Sequence, residues 1–268
     1  MLDGYEPSEI AASGRGQQLI PWPNRIEDGS YEFAGERHQL PLDEPERQNA
    51  IHGLVRWSPW RLAEREPGSA VLEHLLYPQP GYPFSLALKV EYSLSAEGLR
   101  VRTEATNVGS DPAPYGNGAH PYLAVDADRV DAAMLRVPAR TVLEANDRGI
   151  PIGAASVAGT ELDFRDLRVI GATKLDHAFT DLERGGDGRA RVELTAGSRQ
   201  TTLWVDESYP YLMVFTGDSL PIDGRRSLAV EPMTCAPNAF RSGDGLIRLE
   251  PEETQTGTWG IEPVVGSA

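Results

Sequence analysis

Three side chains have the types and settings that acid/base catalysis requires: His52, His120 and Glu231. Both histidines lie close to glycine, in segments 49–53 and 116–122, where the backbone can approach a ligand closely. Glu231 ends a short apolar run and enters a proline-containing loop, so we expect it to be partly buried. Burial would raise its pKa toward the range of a general base. The same settings also fit packed, hydrogen-bonded structural residues, and the residues alone leave that alternative open.

Arg25 and Asp176 are candidates for holding a polar substrate. Arg25 follows Asn24 in a segment that two prolines stiffen, and a fixed guanidinium is well suited to hydroxyl or carboxylate groups. A surface arginine is the alternative. Asp176 precedes His177 in a predicted strand, where the two side chains point to opposite faces. Only one of these two can therefore reach a shared site.

Two tryptophans and the single cysteine complete the set of candidates. Trp57 and Trp60 offer flat faces that could stack on a sugar ring, although tryptophans more often belong to the core. Cys235 could be a nucleophile, but a small buried thiol is the stronger interpretation, because no cationic helix end is apparent to activate it.

Composition and motifs exclude several classes of protein. The formal net charge of -15 repels phosphate backbones and anionic membranes, so we expect neither nucleic acid nor a membrane as partner. A neutral substrate fits this charge better than a phosphorylated one. The absence of a signal peptide, of a bilayer-long apolar run and of any cysteine pair favours the cytoplasm. No G-x-S-x-G, Walker A, H-E-x-x-H or dinucleotide-binding motif occurs, so nothing points to a cofactor.

The elements that must position these side chains are short β-strands. Apolar residues alternate with smaller or polar ones over 84–94 and 99–105, which predicts a hairpin closed by a turn at 95–98. No amphipathic segment of three or four helical turns occurs. We therefore predict an all-β protein, an antiparallel β-sandwich or barrel, as one domain over 1–268 that opens with a loop at 6–16. Further strands are predicted at 71–77, 201–206, 211–215 and 246–250, and the first strong strand signal lies at 17–22.

Five segments of the chain belong together: 21–26 with Gly29, 49–53, 118–122, 175–179 and 230–233. Taken together, they resemble the aldose 1-epimerase (galactose mutarotase-like) family. They occur in the family's order and cover the chain from about Arg15 to Phe240. The resemblance implies a large antiparallel β-sandwich, the galactose mutarotase-like supersandwich, with the site in an open cleft on a sheet face.

The resemblance also implies a role for each candidate residue. Glu231 matches the base that takes the proton from the C1 hydroxyl, His120 the acid that protonates the ring oxygen, and His52 a second histidine near the anomeric centre. The family uses no metal or organic cofactor, so none is expected, and a small sugar is the expected substrate. The residues predicted to bind that sugar are Arg25, Asp176, Asn24 and Trp57.

The expected reaction is the interconversion of the α and β anomers of a free hexose. The segments around the second histidine and the glutamate differ from those of better-known mutarotases, which leaves the sugar open. A hexose-6-phosphate 1-epimerase is one alternative, and Arg15, Arg25 and Arg56 are candidates for the arginine cluster that it would need. A non-catalytic carbohydrate-binding protein of the same fold is another. A glycoside hydrolase, with Asp176 and Glu231 as its carboxylates, is the third.

The beginning of the chain carries a further expectation. Relatives usually have a pair of strands before the segment aligned with Met1, so the domain is expected to lack the family's first strands. Missing edge strands would expose sheet backbone to a second copy. The expected assembly is therefore a monomer or a homodimer.

Overall fold

A computed structural model of the protein describes residues 2–6, 8–124, 128–197, 199–220 and 224–265. Helical structure in these ranges is limited to 3-10 turns at Ala12–Gly14 and Val130–Ala132 and the helix α1, Ala239–Ser242. The strands are β1 (Gln18–Leu19), β2 (Arg25–Glu27), β3 (Ser30–Phe33), β4 (Glu36–Gln39), β5 (Asn49–Ile51), β6 (Arg61–Glu66), β7 (Ser69–Leu76), β8 (Leu86–Ser95), β9 (Gly98–Asn107), β10 (Ala113–Tyr115), β11 (Gly118–Ala119), β12 (Tyr122–Ala124), β13 (Met134–Arg136), β14 (Ala139–Ala145), β15 (Pro151–Ser156), β16 (Arg168–Val169), β17 (Asp176–Leu182), β18 (Ala190–Ala196), β19 (Arg199–Val205), β20 (Tyr211–Phe215), β21 (Ser227–Met233), β22 (Ile247–Leu249) and β23 (Thr254–Val265).

Most strands of the described ranges belong to two antiparallel sheets. The eight-stranded sheet has the order β1-β11-β21-β20-β17-β14-β15, with β12 also paired to β21. The nine-stranded sheet has the order β16-β13-β18-β19-β23-β9-β8-β7-β6. Three two-stranded sheets accompany them, β10-β22, β2-β5 and β3-β4.

The main core lies between the two large sheets. Val101 and Val192 of the nine-stranded sheet pack in one cluster with Phe179, Val214 and Val230 of the eight-stranded sheet. Because side chains alternate along a strand, the residues next to these inward-facing ones point to the outer face of the eight-stranded sheet. A second core, around Trp22, Ile26, Tyr31, Leu86 and Phe240, packs the small sheets against the end of the nine-stranded sheet.

The all-β antiparallel prediction is confirmed. The predicted hairpin is formed by β8 and β9, which pair from Leu86↔Asn107 to Ser95↔Gly98. The strand predicted at 211–215 is β20, and those predicted near 71–77 and 201–206 are β7 and β19 with ends shifted by one or two residues. The signal at 17–22 yields only the two residues of β1, because Pro21 and Pro23 have no amide hydrogen to continue a ladder. No helix within the described ranges is long and apolar enough to cross a membrane.

Candidate active site

A cavity of about 470 Å³ opens on the outer face of the eight-stranded sheet, opposite the main core. Its volume falls in the ~300–1,000 Å³ range of small-molecule sites. Every site residue predicted from the sequence lines this cavity, although those residues come from distant parts of the chain. They are Asn24, Arg25, His52, Trp57, His120, Asp176 and Glu231.

The strand register places both carboxylates of the cavity. Glu231 on β21 lies across from Met213 on β20, and Asp176 on β17 lies across from Phe215, two residues further along β20. The neighbouring residues Val230 and Val214 belong to the main core, so the alternation of β20 and β21 turns Glu231 and Met213 outward. Asp176 lines the cavity, whereas His177 does not.

The loop before β1 holds His120, which directly follows β11. The His120 N–H donates to the Gln17 carbonyl at 3.1 Å, and the Gly16 N–H donates to the His120 carbonyl at 2.9 Å. The imidazole stacks on Tyr122 with ring centroids 4.9 Å apart. Gly14 packs against the imidazole so closely that a Cβ at this position would lie 2.7 Å from His120 Cδ2. The loop and Tyr122 together leave the imidazole little freedom to turn.

His52 and Asn24 hold each other by two hydrogen bonds, one between backbone groups and one from a backbone N–H to the imidazole. The His52 N–H donates to the Asn24 carbonyl at 2.8 Å, and the Asn24 N–H donates to His52 Nδ1 at 3.2 Å. His52 Nδ1 is therefore the acceptor, and the ring proton lies on Nε2, where it can be donated to a ligand. The next residue, Gly53, has φ +73° and packs so tightly that a Cβ would lie 2.1 Å from the Ile20 carbonyl oxygen. The His52-Gly53 pair thus depends on glycine for its close approach.

Arg25 forms a buried ion pair with Glu44. Arg25 Nε and Nη2 each donate to Glu44 at 2.8 Å, and Asn49 Nδ2 donates to Glu44 Oε2 at 2.9 Å. Burial by itself would raise the pKa of Glu44, but the hydrogen bonds from Arg25 and Asn49 outweigh it and lower that pKa. Gly149 makes room for the guanidinium, since a Cβ there would lie 2.7 Å from Arg25 Nη1.

His120 and Glu231 form a second buried pair, in which the pKa of the glutamate is shifted in the opposite direction. His120 Nε2 lies 3.3 Å from Glu231 Oε1. Burial raises the pKa of Glu231 well above its ordinary value, the charge of Asp176 adds to this, and Arg25 opposes it. Burial also lowers the pKa of His120 to about 3, with a smaller contribution from Arg56. Burial therefore disfavours the charged form of each partner, and a proton shared by the pair is favoured on Glu231 over His120.

His52 is also neutral at neutral pH. Burial lowers the pKa of His52 well below its ordinary value, and His120 and Arg56 lower it further. One donor atom from each of His52, His120 and Glu231 lies within 4.8 Å of the other two. Two imidazoles and a carboxylate are a donor set that zinc accepts, so these are the described residues that could hold a metal. The expectation of a site that works without one stays a prediction.

Some residues at the cavity had no assigned role in the sequence. Glu44 was missed because it stands in a polar stretch that reads as a solvated turn, and only the pairing of β2 with β5 brings it near Arg25. Gly14 was missed although the segment Gly14-Arg15-Gly16 was a visible signal for close backbone approach. Trp57 is 64% exposed at the cavity, whereas Trp60 packs against both cores. Cys235 is buried, which raises the pKa of its thiol to about 12, as expected of a structural cysteine.

Comparison with known proteins identifies the family. The profile of the aldose 1-epimerase family matches residues 2–262. The chain belongs to the aldose 1-epimerase family. Among its relatives is the uncharacterized protein YihR of Escherichia coli, 39% identical over 250 residues, which cover 92% of this chain and 78% of that protein. The aldose 1-epimerase of Escherichia coli is 27% identical over 238 residues, 81% of this chain and 66% of that enzyme.

Solved structures show the same fold. A GalM/aldose epimerase homologue from C. elegans superposes with a TM-score of 0.89 at 18% identity, covering 99% of this chain and 88% of that one. A galactose 1-epimerase from Lactobacillus acidophilus gives a TM-score of 0.80 at 22% identity, over 99% of this chain and 85% of that enzyme. The predicted galactose mutarotase-like supersandwich is thereby confirmed. Membership in this family supports sugar epimerisation as the class of reaction.

Proposed function

We propose that the protein is a mutarotase, which interconverts the α and β anomers of a free hexose by opening and closing the sugar ring. The observation that carries the proposal is the buried pair of His120 and Glu231, whose Nε2 and Oε1 atoms lie 3.3 Å apart. Ring opening at an anomeric carbon needs one group that accepts a proton and one that donates it, and this pair supplies both. Its position beside His52, Arg25 and Asp176 supplies polar groups for the sugar.

The two side chains of the pair donate and accept every proton that moves in the catalytic cycle. For opening, the proton lies on His120, and ionised Glu231 removes the proton of the C1 hydroxyl while His120 protonates the ring oxygen as the C1–O5 bond breaks. Glu231 is then protonated and His120 neutral, which is the form that the burial of both groups favours. After rotation about C1–C2, Glu231 protonates the aldehyde oxygen and His120 takes the C5 hydroxyl proton as O5 attacks C1. Ring closure leaves Glu231 ionised and His120 protonated, which is the first form of the pair, so the scheme calls for no cofactor.

The other cavity residues can hold the hydroxyl groups of the sugar. His52 Nε2–H is available as a donor, because Nδ1 accepts from the Asn24 N–H. Arg25 uses Nε and Nη2 on Glu44, which leaves Nη1, 3.5 Å from Asn24 Oδ1, as the guanidinium nitrogen best placed to meet a ligand. Asp176 offers an exposed carboxylate, and Trp57 an exposed ring face.

The ion pairs that the arginines form with carboxylates favour a neutral hexose over a phosphorylated one. Arg15 lies 3.2 Å from Asp3, Arg56 is 2.8 Å from Asp43, and Arg25 is engaged with Glu44. The candidate phosphate-binding arginines therefore each face a carboxylate.

A hexose-6-phosphate is the second candidate, and Arg47 is the observation that favours it. Arg47 also lines the cavity and lies 3.9 Å from Glu44, a longer separation than the 2.8 Å of the Arg25 pair. Its charge is thus less closely matched than that of the other arginines.

Polarimetry on freshly dissolved α-glucose, α-galactose and glucose-6-phosphate tests the proposal. We expect the wild-type protein to speed the approach to anomeric equilibrium for a free hexose more than for the phosphate ester. A His120→Asn variant should lose at least about a hundred-fold of that rate. His74→Asn is the matched control, because His74 lies on β7 outside this cavity.

Two results would contradict the proposal. Equilibration at the buffer rate for every aldose of a broad panel, with sugar binding intact by calorimetry, would favour the non-catalytic binding protein. A preference for glucose-6-phosphate would replace the free hexose by the phosphorylated substrate.

A further inference from the structure

The first described residues of the chain lie along β12, beside the acid/base pair. Leu2 forms an antiparallel bridge with Leu123, and the Asp3 N–H donates to the Tyr122 carbonyl at 2.9 Å. The Asp3 carboxylate also accepts a hydrogen bond from Ser227 Oγ of β21 at 2.9 Å. Asp3 is thus anchored to β12 and β21, which pair with each other in the sheet that carries the active-site cavity.

Asp3 holds Arg15 in a buried ion pair. Arg15 Nη2 lies 3.2 Å from Asp3 Oδ2, and the two side chains are only 11% and 10% exposed. Because arginine keeps its charge throughout the pH range of proteins, this pair fixes the position of the guanidinium. Arg15 is not among the described residues that line the active-site cavity, so it does not meet a bound sugar directly.

The Arg15 guanidinium lies over the ring of Tyr122. Its Cζ atom is 4.6 Å from the ring centroid, within the distance at which a cation is attracted to an aromatic face. Tyr122 is buried, and its hydroxyl donates to the Ser13 carbonyl at 3.0 Å. The ring is therefore held at its face by Arg15 and at its hydroxyl by Ser13.

Tyr122 in turn sets the orientation of His120. The two rings are inclined by only 10°, with centroids 4.9 Å apart. Because His120 Nε2 lies 3.3 Å from Glu231 Oε1, a tilt of the imidazole changes the distance over which the pair acts. Asp3, Arg15, Tyr122 and His120 thus form a continuous row of contacts that ends at the acid/base pair.

Two comparable arginine–aromatic stacks lie away from the cavity. Arg168 Cζ is 4.1 Å from the ring centroid of Phe164, and Arg189 Cζ is 3.8 Å from that of Trp204. Neither aromatic residue lines the active-site cavity. The stack of Arg15 differs because its aromatic partner contacts His120.

We propose that Arg15 is a positioning residue, which acts through Tyr122 to hold the His120 imidazole at its distance from Glu231. The inference rests on the proposed mutarotase function. Asp3 contributes by fixing the guanidinium over the ring. Arg15 is thereby assigned to the support of the acid/base pair and removed from the candidate phosphate ligands.

Kinetics of Arg15→Met test the positioning role. Methionine keeps an unbranched stem but lacks the charged planar group, so we expect kcat to fall about tenfold as the imidazole leaves its position. KM should stay within about twofold of the wild-type value, because Arg15 does not line the cavity. Arg15→Lys keeps a cation for both the ring and Asp3 and should bring kcat back to within about threefold of wild type.

Arg168→Met is the matched control for these variants. It removes a stack of the same kind, over Phe164 of the main core. We expect this variant to keep the wild-type kcat, and urea unfolding of both methionine variants measures what each stack contributes to stability. A loss of kcat in Arg15→Met that its stability does not explain reports the position of His120.

A double-mutant cycle shows whether Arg15 acts through Tyr122. Tyr122→Leu removes the ring, so in that background Arg15→Met should lower kcat less than about twofold. A tenfold loss that persists without the ring would show that Arg15 acts by another route, and would overturn the assignment.

NMR of the imidazole reports the same contact without turnover and without the Tyr122→Leu variant. The ring current of Tyr122 shifts the resonances of His120 Hδ2 and Hε1, which His120→Asn identifies by their disappearance. We expect Arg15→Met to move both resonances toward those of a histidine without a stacked ring. Arg15→Lys should move them back, and Arg168→Met should leave them unchanged.

The outcomes separate this inference from the proposed function. If a sugar is turned over and Arg15→Met keeps the wild-type kcat, or changes only KM, the positioning role is wrong and the mutarotase stands. If no sugar is equilibrated faster than in buffer, the proposed function is wrong and NMR decides the inference. Unchanged His120 resonances in Arg15→Met then overturn it, and shifted resonances that Arg15→Lys restores support it.

Discussion

Two buried glutamates line the same cavity, and the structure tunes them in opposite directions. Glu44 meets a guanidinium and an amide, and their hydrogen bonds overcome the effect of burial and lower the pKa of Glu44. Glu231 meets an imidazole, and burial raises the pKa of Glu231 well above its ordinary value. Glu44 is therefore a fixed charge that holds Arg25, whereas burial favours the protonated form of Glu231.

Both the partner and the depth of burial contribute to this difference. Arginine keeps its proton throughout the pH range of proteins, so the pair of Arg25 and Glu44 can only be ionic. Histidine, unlike arginine, can release its proton within the pH range of proteins, so His120 and Glu231 can share one proton. A protein can thus build a rigid support and a reactive centre from the same acidic side chain.

The largest expected effect is on catalysis, from Glu231→Gln. The amide cannot exchange a proton, so we expect the rate of anomer interconversion to fall between about a hundred- and ten-thousand-fold. Stability should not fall with it. The folded-state pKa of Glu231 lies above the unfolded value, so between those two values rising pH destabilises the wild type, and the neutral amide removes that cost at pH 7.

Polarimetry and urea unfolding at pH 7 measure these two effects. Glu144→Gln, at an exposed site on β14, is the control. A variant that is active but unstable would reverse the roles assigned to the two glutamates.

Glu44→Gln should have the next largest effect, on the free energy of unfolding. Removing one partner of a buried ion pair leaves Arg25 with an uncompensated charge, which we expect to cost about 3 kcal/mol. The exposed pair of Arg61 and Glu73 provides the control, because Glu73→Gln should cost less than about 1 kcal/mol. Equal losses in the two variants, measured by urea unfolding, would show that Glu44 is not a structural charge.

Gly14→Ala should lower kcat about tenfold through the position of His120. A Cβ at Gly14 would lie 2.7 Å from His120 Cδ2, so the imidazole must move away from Glu231 or turn. Gly159→Ala is a matched control, because Gly159 has a similar φ of +76° but no neighbouring atom within 4 Å of a Cβ. Both variants carry the same backbone strain, which thermal melts measure. A loss of kcat in Gly14→Ala alone therefore reports the displacement of His120. A kcat loss that is equal in both would contradict the positioning role of Gly14.

The smallest expected effect is on the acid side of the pH profile. Activity requires one proton on the pair, and a second proton binds only as the pH falls through the pKa of His120, which burial lowers to about 3. We therefore expect kcat/KM at pH 5 to stay within about twofold of its value at pH 7. An unshifted histidine, with its pKa at the ordinary 6.5, would instead lower kcat/KM roughly twenty-five-fold over this interval. A pH-rate profile over pH 4–8 distinguishes the two.

The sequence predicted the features that depend on the pattern of neighbouring residues. Alternation located β20 at its observed residues and the hairpin of β8 and β9 within two residues, because the period of a strand is written in successive side chains. Motif resemblance brought together side chains as distant as Arg25 and Glu231. Contacts between segments that are distant in the sequence leave no pattern in successive residues. Glu44 and Gly14 look like surface residues until the chain closes around Arg25 and His120.

The acid/base pair and the walls of the cavity belong to different kinds of structure. Glu231 is fixed by the hydrogen-bond register of β21 with β20, where a shift of one residue would turn it into the core. Trp57 and Arg56 lie in the connection between β5 and β6, which no ladder constrains. Substitutions at Trp57 can therefore accumulate without shifting the strands that hold Glu231. Descendants of one ancestral fold could in this way come to prefer different sugars while the reaction itself stays the same.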